Sequence, residues 1–156
     1  MTSTTVSIAL DAILVTLLLI GGITDWRERI IPHWLNITIA LLAPISWWNH
    51  GFHLWPDVAW QVGLSAIAIS FFMIFQAIGQ MGGGDVKLLG ALALWFNWKV
   101  FLTMLWFTSV GGAVLTIGML IAHRAMKRPG KPEYPYGIAI VVGTVIVIGV
   151  PYLRYL

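Results

Sequence analysis

The chain has 156 residues, of which 59% are hydrophobic and only 10% charged, with a mean hydropathy of +0.88. A soluble domain carries about 25% charged residues on its surface, so this composition excludes a water-solvated globule and specifies an all-α, polytopic integral membrane protein embedded in a lipid bilayer. Nine Lys and Arg against six Asp and Glu leave a net charge of +3, too small an excess to suggest nucleic acid, and the lack of cysteine excludes disulfides, zinc–cysteine sites and thiol catalysis.

A membrane span needs roughly 20 apolar residues, and about six segments approach that. The first runs from Val6 to Thr24. Nothing basic precedes it, it is too long for a signal-peptide core, and it ends at Thr24-Asp25 without a small-x-small cleavage site, so it reads as a retained span. The second runs from Trp34 to Trp48 and the third from Val58 to Ile78. The fourth, from Asp85 to about Phe96, is short, either a thin span or a re-entrant helix. The fifth runs from Val100 to Ala122 and the sixth from Tyr136 to Leu153. The connectors are short and polar, with no linker and no internal repeat, so residues 1–156 read as a single membrane-embedded domain.

Alternating the connectors puts Arg27, Arg29, Lys87, Arg124, Lys127, Arg128 and Lys131 on one side and only Lys99 and Arg154 on the other. The excess of basic residues marks the first side as cytoplasmic, with both termini outside. Trp47, Trp48, Trp55, Trp60, Trp95 and Trp98 then fall near the outer interface, and Trp26 and Trp34 near the inner one, as in an aromatic belt.

Two stretches carry the chemistry. The first span leads into Asp25-Trp26-Arg27-Glu28-Arg29-Ile30-Ile31-Pro32, and the third connector ends in Gly82-Gly83-Gly84-Asp85-Val86-Lys87. In this topology Asp25 and Asp85 lie sixty residues apart in sequence but at one membrane depth, both on the cytoplasmic side. An aspartate costs about 2.5–3.5 kcal/mol at the centre of a membrane helix, and less near an interface, so such residues are functional candidates by default. Two carboxyl groups at one depth can share a proton. The ionised member takes a proton from water as it attacks a peptide carbonyl, and the protonated member hydrogen-bonds the carbonyl oxygen and later protonates the leaving amine. This is aspartic-protease chemistry and needs neither metal nor cofactor. The three glycines permit a tight turn and close approach of another chain. They also open the fourth helix, whose N-terminus Asp85 would cap. Equally, Gly82–Gly84 can be a plain flexible loop and Asp85 an ordinary cap.

Other polar residues have simpler readings. Asp11 is fourteen residues before Asp25, about 21 Å along a helix, and belongs near the outer interface. Glu28 reads as a solvated interfacial charge. Lys87 either tunes Asp85 or anchors its helix at the headgroups. His50 and His53 read as a surface loop rather than a metal site. The basic stretch from Arg124 to Lys131 reads as a topogenic loop beside anionic lipid, and Gly111, Gly112 and Gly118 as sites of close helix packing.

Gly82-x-Gly84-Asp85 followed by Val86-Lys87-Leu88 resembles the Gly-x-Gly-Asp signature of the type IV prepilin peptidases. Asp25, with Arg27, Arg29, Ile31-Pro32 and Asn36, resembles their first aspartate motif, and Pro135-Tyr136-Gly137 resembles the proline-glycine segment entering their last span. The resemblance implies a bacterial inner-membrane aspartic endopeptidase of six spans, with Asp25 and Asp85 catalytic and with Gly82, Gly83, Gly84, Lys87 and Pro32 supporting substrate and loop. It implies a prepilin-like membrane protein as substrate, whose short basic leader is removed at the cytoplasmic face. His33 departs from the pattern, standing where Asn is expected after Pro32. No cysteine-bearing insertion is present, so the chain resembles the short, peptidase-only members associated with Flp or Tad pili, and cleavage without a methyltransferase domain is expected. Two rivals remain. One is a small ion- or proton-coupled transporter or channel with Asp25 and Asp85 as ligands. The other is a presenilin-like protease, whose first aspartate follows a Tyr inside a span and matches this chain less.

Overall fold

The computed structural model describes residues 2–125 and 136–153. Among them every regular element is helical: α1 (Thr2–Glu28), α2 (His33–Asn49), α3 (Ala59–Ala77), α4 (Gly83–Ala93), α5 (Trp98–Ala125) and α6 (Tyr136–Leu153), with a wide helical turn at Leu54–Val58 leading into α3. Three stretches, Thr4–Glu28, Leu54–Ala77 and Trp98–Ile121, are long and apolar enough to cross a membrane, and Tyr136–Val150 is a shorter apolar helix. Large apolar side chains such as Leu41, Ile67 and Val114 are each about two-thirds exposed, as expected of a surface that faces hydrocarbon instead of water. Lys127, Arg128, Lys131, Pro135 and Arg154 lie outside the described residues.

Three helices, α1, α2 and α5, extend a little beyond the runs that hydropathy picks out. Asn97 caps α5, its Oδ1 accepting the N–H groups of Lys99 and Val100 at 3.1 Å, so that helix starts before the apolar run. α1 continues to Glu28, which places Asp25 in its last turn and not beyond its end.

The fourth helix differs most. It has 11 residues, about 16 Å at 1.5 Å per residue, half the thickness of a bilayer core. It is also the most enclosed: Asp85, Val86 and the whole run from Leu88 to Ala93 are buried, with α3 on one side and α2 on another. Its shortness follows from that enclosure, because a helix wrapped in protein does not have to match the lipid.

A helix ending inside the bundle needs partners for its last carbonyls, since lipid offers none. The Leu94 carbonyl receives both the Trp47 indole N–H at 2.7 Å and the Gln61 side-chain amide at 3.3 Å, and Ser65 Oγ donates to the Gly90 carbonyl at 2.8 Å. In return the Trp95 indole donates to the Ile39 carbonyl of α2 at 2.8 Å. The tryptophans expected in a belt therefore divide. Trp48, Trp60 and Trp98 stay on the outside, while Trp47 and Trp95 turn inward and tie α2 to α4. Trp95→Phe keeps most of the apolar volume and leaves the Ile39 carbonyl without that donor. A stability loss of about 1–3 kcal/mol is expected, read as a lower midpoint of thermal unfolding in detergent.

The tightest helix–helix packing occurs at different glycines from Gly111, Gly112 and Gly118, which the sequence suggested. A Cβ on Gly90 would collide with Ile69 of α3, and one on Gly143 with Thr108 of α5. Around Gly111 and Gly118 there is open space, and Gly112 is in ordinary contact with Ala139 at 3.6 Å. α3 packs on α4, and α5 on α6, through these two unmarked glycines.

Candidate active site

α1 stops because Arg29 adopts a left-handed backbone conformation (φ 56°) and returns its N–H to the Asp25 carbonyl at 3.0 Å. The chain then reverses over three residues to Pro32, the N-cap of α2, whose ring suits a helix start and cannot continue one from before it. This reversal turns Ile30 outward and drives Ile31 into the protein.

Asp25, only 6% exposed, sits beside the beginning of α6. Its carboxylate accepts backbone N–H groups of Gly137 and Ile138. These belong to the first turn of a helix, where N–H groups lack intrahelical partners and the dipole favours negative charge. The fit requires glycine at 137: a Cβ there would stand 2.7 Å from Asp25 Oδ2 and 2.8 Å from its Cγ.

Asp85, 7% exposed, occupies the first turn of α4. It does not cap that helix in the expected way. Gly82 is the N-cap, and Asp85 is the third residue within the helix, its carboxylate accepting the backbone N–H of Gly82. This is the returning half of a capping box. None of Gly82, Gly83 and Gly84 has a left-handed backbone; the turn is made earlier, at Gly79 (φ 72°). The three serve close approach. A Cβ on Gly82 would lie 2.9 Å from Asp85 Oδ2, one on Gly83 3.0 Å from the Gln76 amide, and one on Gly84 3.1 Å from Ile31 Cβ.

The two halves meet at Ile31. Its Cδ1 lies 3.1 Å from the Cβ position of Gly137, next to Asp25, and its own Cβ lies over Gly84, next to Asp85. The aspartates fall within electrostatic range of each other. Two backbone N–H groups face the Asp25 carboxylate and one faces that of Asp85, while one oxygen of each, Asp25 Oδ2 and Asp85 Oδ1, is buried without a hydrogen-bond partner among the described residues. Those two oxygens are the pair's unused hydrogen-bond acceptors, and both are enclosed by protein.

Asn36, buried on α2, donates from Nδ2 to the Gly84 carbonyl at 3.3 Å and so fixes the glycine turn from the side. Asn36→Leu removes that donor, worth about 1 kcal/mol net. Any cleavage activity should fall roughly tenfold while the protein still folds, as checked by comparing initial rates at equal amounts of folded protein. Lys87 projects from the face of α4 opposite Asp85, exposed, with Nζ 3.5 Å from His33 Nδ1. Glu28 is exposed, Asp11 is partly buried further along α1, and His50 Nδ1 is engaged at 2.7 Å by the Ser46 carbonyl at the end of α2. Ile31 and Asn36 carry much of the geometry. In sequence Ile31, like Asn36, stands out only as part of the first aspartate motif, and nothing there shows that its side chain wedges between the two aspartates.

These features define a class: a polytopic helical membrane protein with a buried pair of carboxylates at one end of its bundle. More particularly, the chain belongs to the type IV leader peptidase family, whose model matches residues 12–117, a stretch that includes both aspartates. It is similar to a prepilin leader peptidase/N-methyltransferase of Stutzerimonas stutzeri, 31% identical over 130 residues, covering 77% of this chain and 45% of the relative. A protein of the same description from Bacillus subtilis (strain 168) is 25% identical over 145 residues, covering 86% of this chain and 52% of the relative. A shorter match, 40% identical over 82 residues, covers 49% of this chain and 20% of a prepilin peptidase of Methanocaldococcus jannaschii. The chain spans about half the length of the first two relatives. No solved structure matches it.

Proposed function

We propose that this chain is a membrane-embedded aspartic endopeptidase that removes the short basic leader from prepilin-like membrane proteins, with Asp25 and Asp85 as its catalytic pair. The observation that carries the reading is the similar state of the two carboxylates: each buried, each facing at least one backbone N–H, each with one unpartnered oxygen, on either side of Ile31. In the reacting complex one carboxyl is ionised and the other protonated. The ionised one takes a proton from water as the water oxygen bonds to the scissile carbonyl carbon. The protonated one donates a hydrogen bond to the carbonyl oxygen. Collapse of the tetrahedral intermediate breaks the C–N bond, and a proton passes to the departing amine. The products are a free leader carboxylate and a new amino terminus.

In the same reading the chain lies in a bacterial inner membrane as one domain. Its amino terminus is outside, and the aspartates sit at the cytoplasmic end, on the side that carries Arg27, Arg29 and Lys87. Gly82, Gly83, Gly84 and Pro32 shape the turn around Asp85 and Ile31, and Lys87 anchors the outer face of α4. Hydrolysis by this pair calls on no metal or cofactor.

The test is to incubate the purified protein with a membrane-anchored substrate bearing a basic leader and to sequence the product's amino terminus. One cut immediately before the apolar segment is expected. Uncut substrate in the presence of folded protein, or scattered cuts, contradicts the proposal.

A further inference from the structure

Grooves open on two sides of α4. One, of about 480 Å³, lies between α2 and α3 and is bordered by His33 and Lys87. The other, of about 680 Å³, lies between α3 and α5, with Phe72 and Phe75 on one wall, Ala113 and Thr116 on the other, and Leu89 and Tyr136 beneath. Helix geometry relates each to the aspartates. At 100° per residue, Leu89 is about 40° from Asp85 around α4, on the same face. Lys87 and Leu94, which border the smaller groove, are about 200° and 180° away. The larger groove also begins at Met81 and Tyr136, each next to a glycine that touches a catalytic carboxylate, Gly82 for Asp85 and Gly137 for Asp25. From there it follows α5 from Ile117 to Leu105, about 18 Å at 1.5 Å per residue, or roughly three turns of helix.

We propose that the groove between α3 and α5 receives the substrate's own apolar transmembrane helix, the segment directly after the leader. The inference rests on the endopeptidase reading above and adds where the substrate lies. The position of its end, beside the glycines packed on the two aspartates, selects this occupant. The carboxylates do not line the groove but lie just behind its end, where Met81 and Tyr136 each adjoin the glycine packed against one of them. An apolar helix lying along it brings its first residue, and hence the bond before it, to that end. A lipid chain would fill the same space with no relation to the carboxylates. The groove then acts as a ruler: the cut falls where apolar helix gives way to polar leader.

Two measurements test this. The first places a photoreactive benzoyl-phenylalanine at position 113, facing the groove, or at position 114, on the exposed lipid side of α5, in protein that also carries Asp85→Asn and so holds substrate uncut. Adducts on the substrate's apolar segment from 113 and not from 114 are expected. Adducts to lipid alone from 113, or equal substrate adducts from both positions, overturn the proposal. The second compares Ala113→Trp with Val114→Trp on a full-length substrate. Ala113→Trp should raise KM at least tenfold, and Val114→Trp should leave it within twofold. Wild-type KM in folded Ala113→Trp overturns the proposal. Wild type that cuts while position 113 behaves as bulk lipid surface refutes the groove and leaves the endopeptidase standing. Wild type that cuts nothing refutes both.

Discussion

Asp25→Asn and Asp85→Asn should each slow leader removal by about a thousandfold or more, and the double variant should be no slower than the worse single one. The size follows from the proposed role: general acid–base catalysis contributes about 10²–10⁴-fold for a single group, and in the proposed mechanism both groups act in one transition state. Groups that act as a unit give non-additive losses. Asn keeps the shape of Asp and can still accept Gly137, Ile138 or Gly82 N–H groups through its oxygen, so the helices around it should remain in place. Single-turnover rates with excess enzyme, together with unfolding midpoints, separate lost chemistry from lost structure. Losses that multiply in the double variant would show that the two carboxylates act independently.

Gly137→Ala is the second large effect. The added methyl would stand 2.7 Å from Asp25 Oδ2, 2.8 Å from its Cγ and 3.1 Å from Ile31 Cδ1. The carboxylate is the part that can move, and in moving it leaves the N–H groups of Gly137 and Ile138 that aim it. Ile31, pressed from the same side, transmits the displacement to Gly84 and the Asp85 turn. Displacing reacting groups by about 1 Å costs roughly 10²-fold, so a drop of about 10²–10³-fold is expected, mainly in kcat. Gly111→Ala, made where nothing lies within 4 Å, is the matched control and should retain full activity. Equal losses in the two variants would mean that added bulk anywhere in the bundle, and not the fit around Asp25, limits the reaction.

Much of this was legible in the sequence. Six apolar runs place six helices, and the sixth matches α6 residue for residue. Alternating connectors put Asp25 and Asp85 at one end of the bundle. What hydropathy cannot distinguish is a side chain facing lipid from one facing protein, because both surroundings are apolar. For that reason α4 read as either a thin span or a re-entrant helix, without a sign of its enclosure between α2 and α3, and Trp47 and Trp95 read as belt residues without a sign that they donate hydrogen bonds to carbonyls at helix ends and within α2. The same limit hid Gly90 and Gly143, which look no different in sequence from Gly111 or Gly118. Local rules also placed Asp85 one role away from its own. Three glycines before an aspartate suggest that the aspartate is the cap, whereas the helix begins at the glycines and Asp85 folds back on Gly82.

The contact through Ile31 joins α1, α2, α4 and α6, and no local pattern announces a contact among four elements. Its consequence is mechanical. Because Ile31 touches the glycine beside each aspartate, the positions of the two carboxylates are coupled through one apolar side chain, and the short loop from Arg29 to Pro32 sets where that side chain stands.

In the proposed mechanism a peptide bond is cut by this pair of aspartates. The most direct measurement is the intact mass of a prepilin-like substrate after incubation with wild type, with Asp25→Asn and with Asp85→Asn, each matched for folded protein. Loss of the leader mass is expected with wild type, and unchanged substrate with either variant. Leader removal by either variant at the wild-type rate would contradict that mechanism.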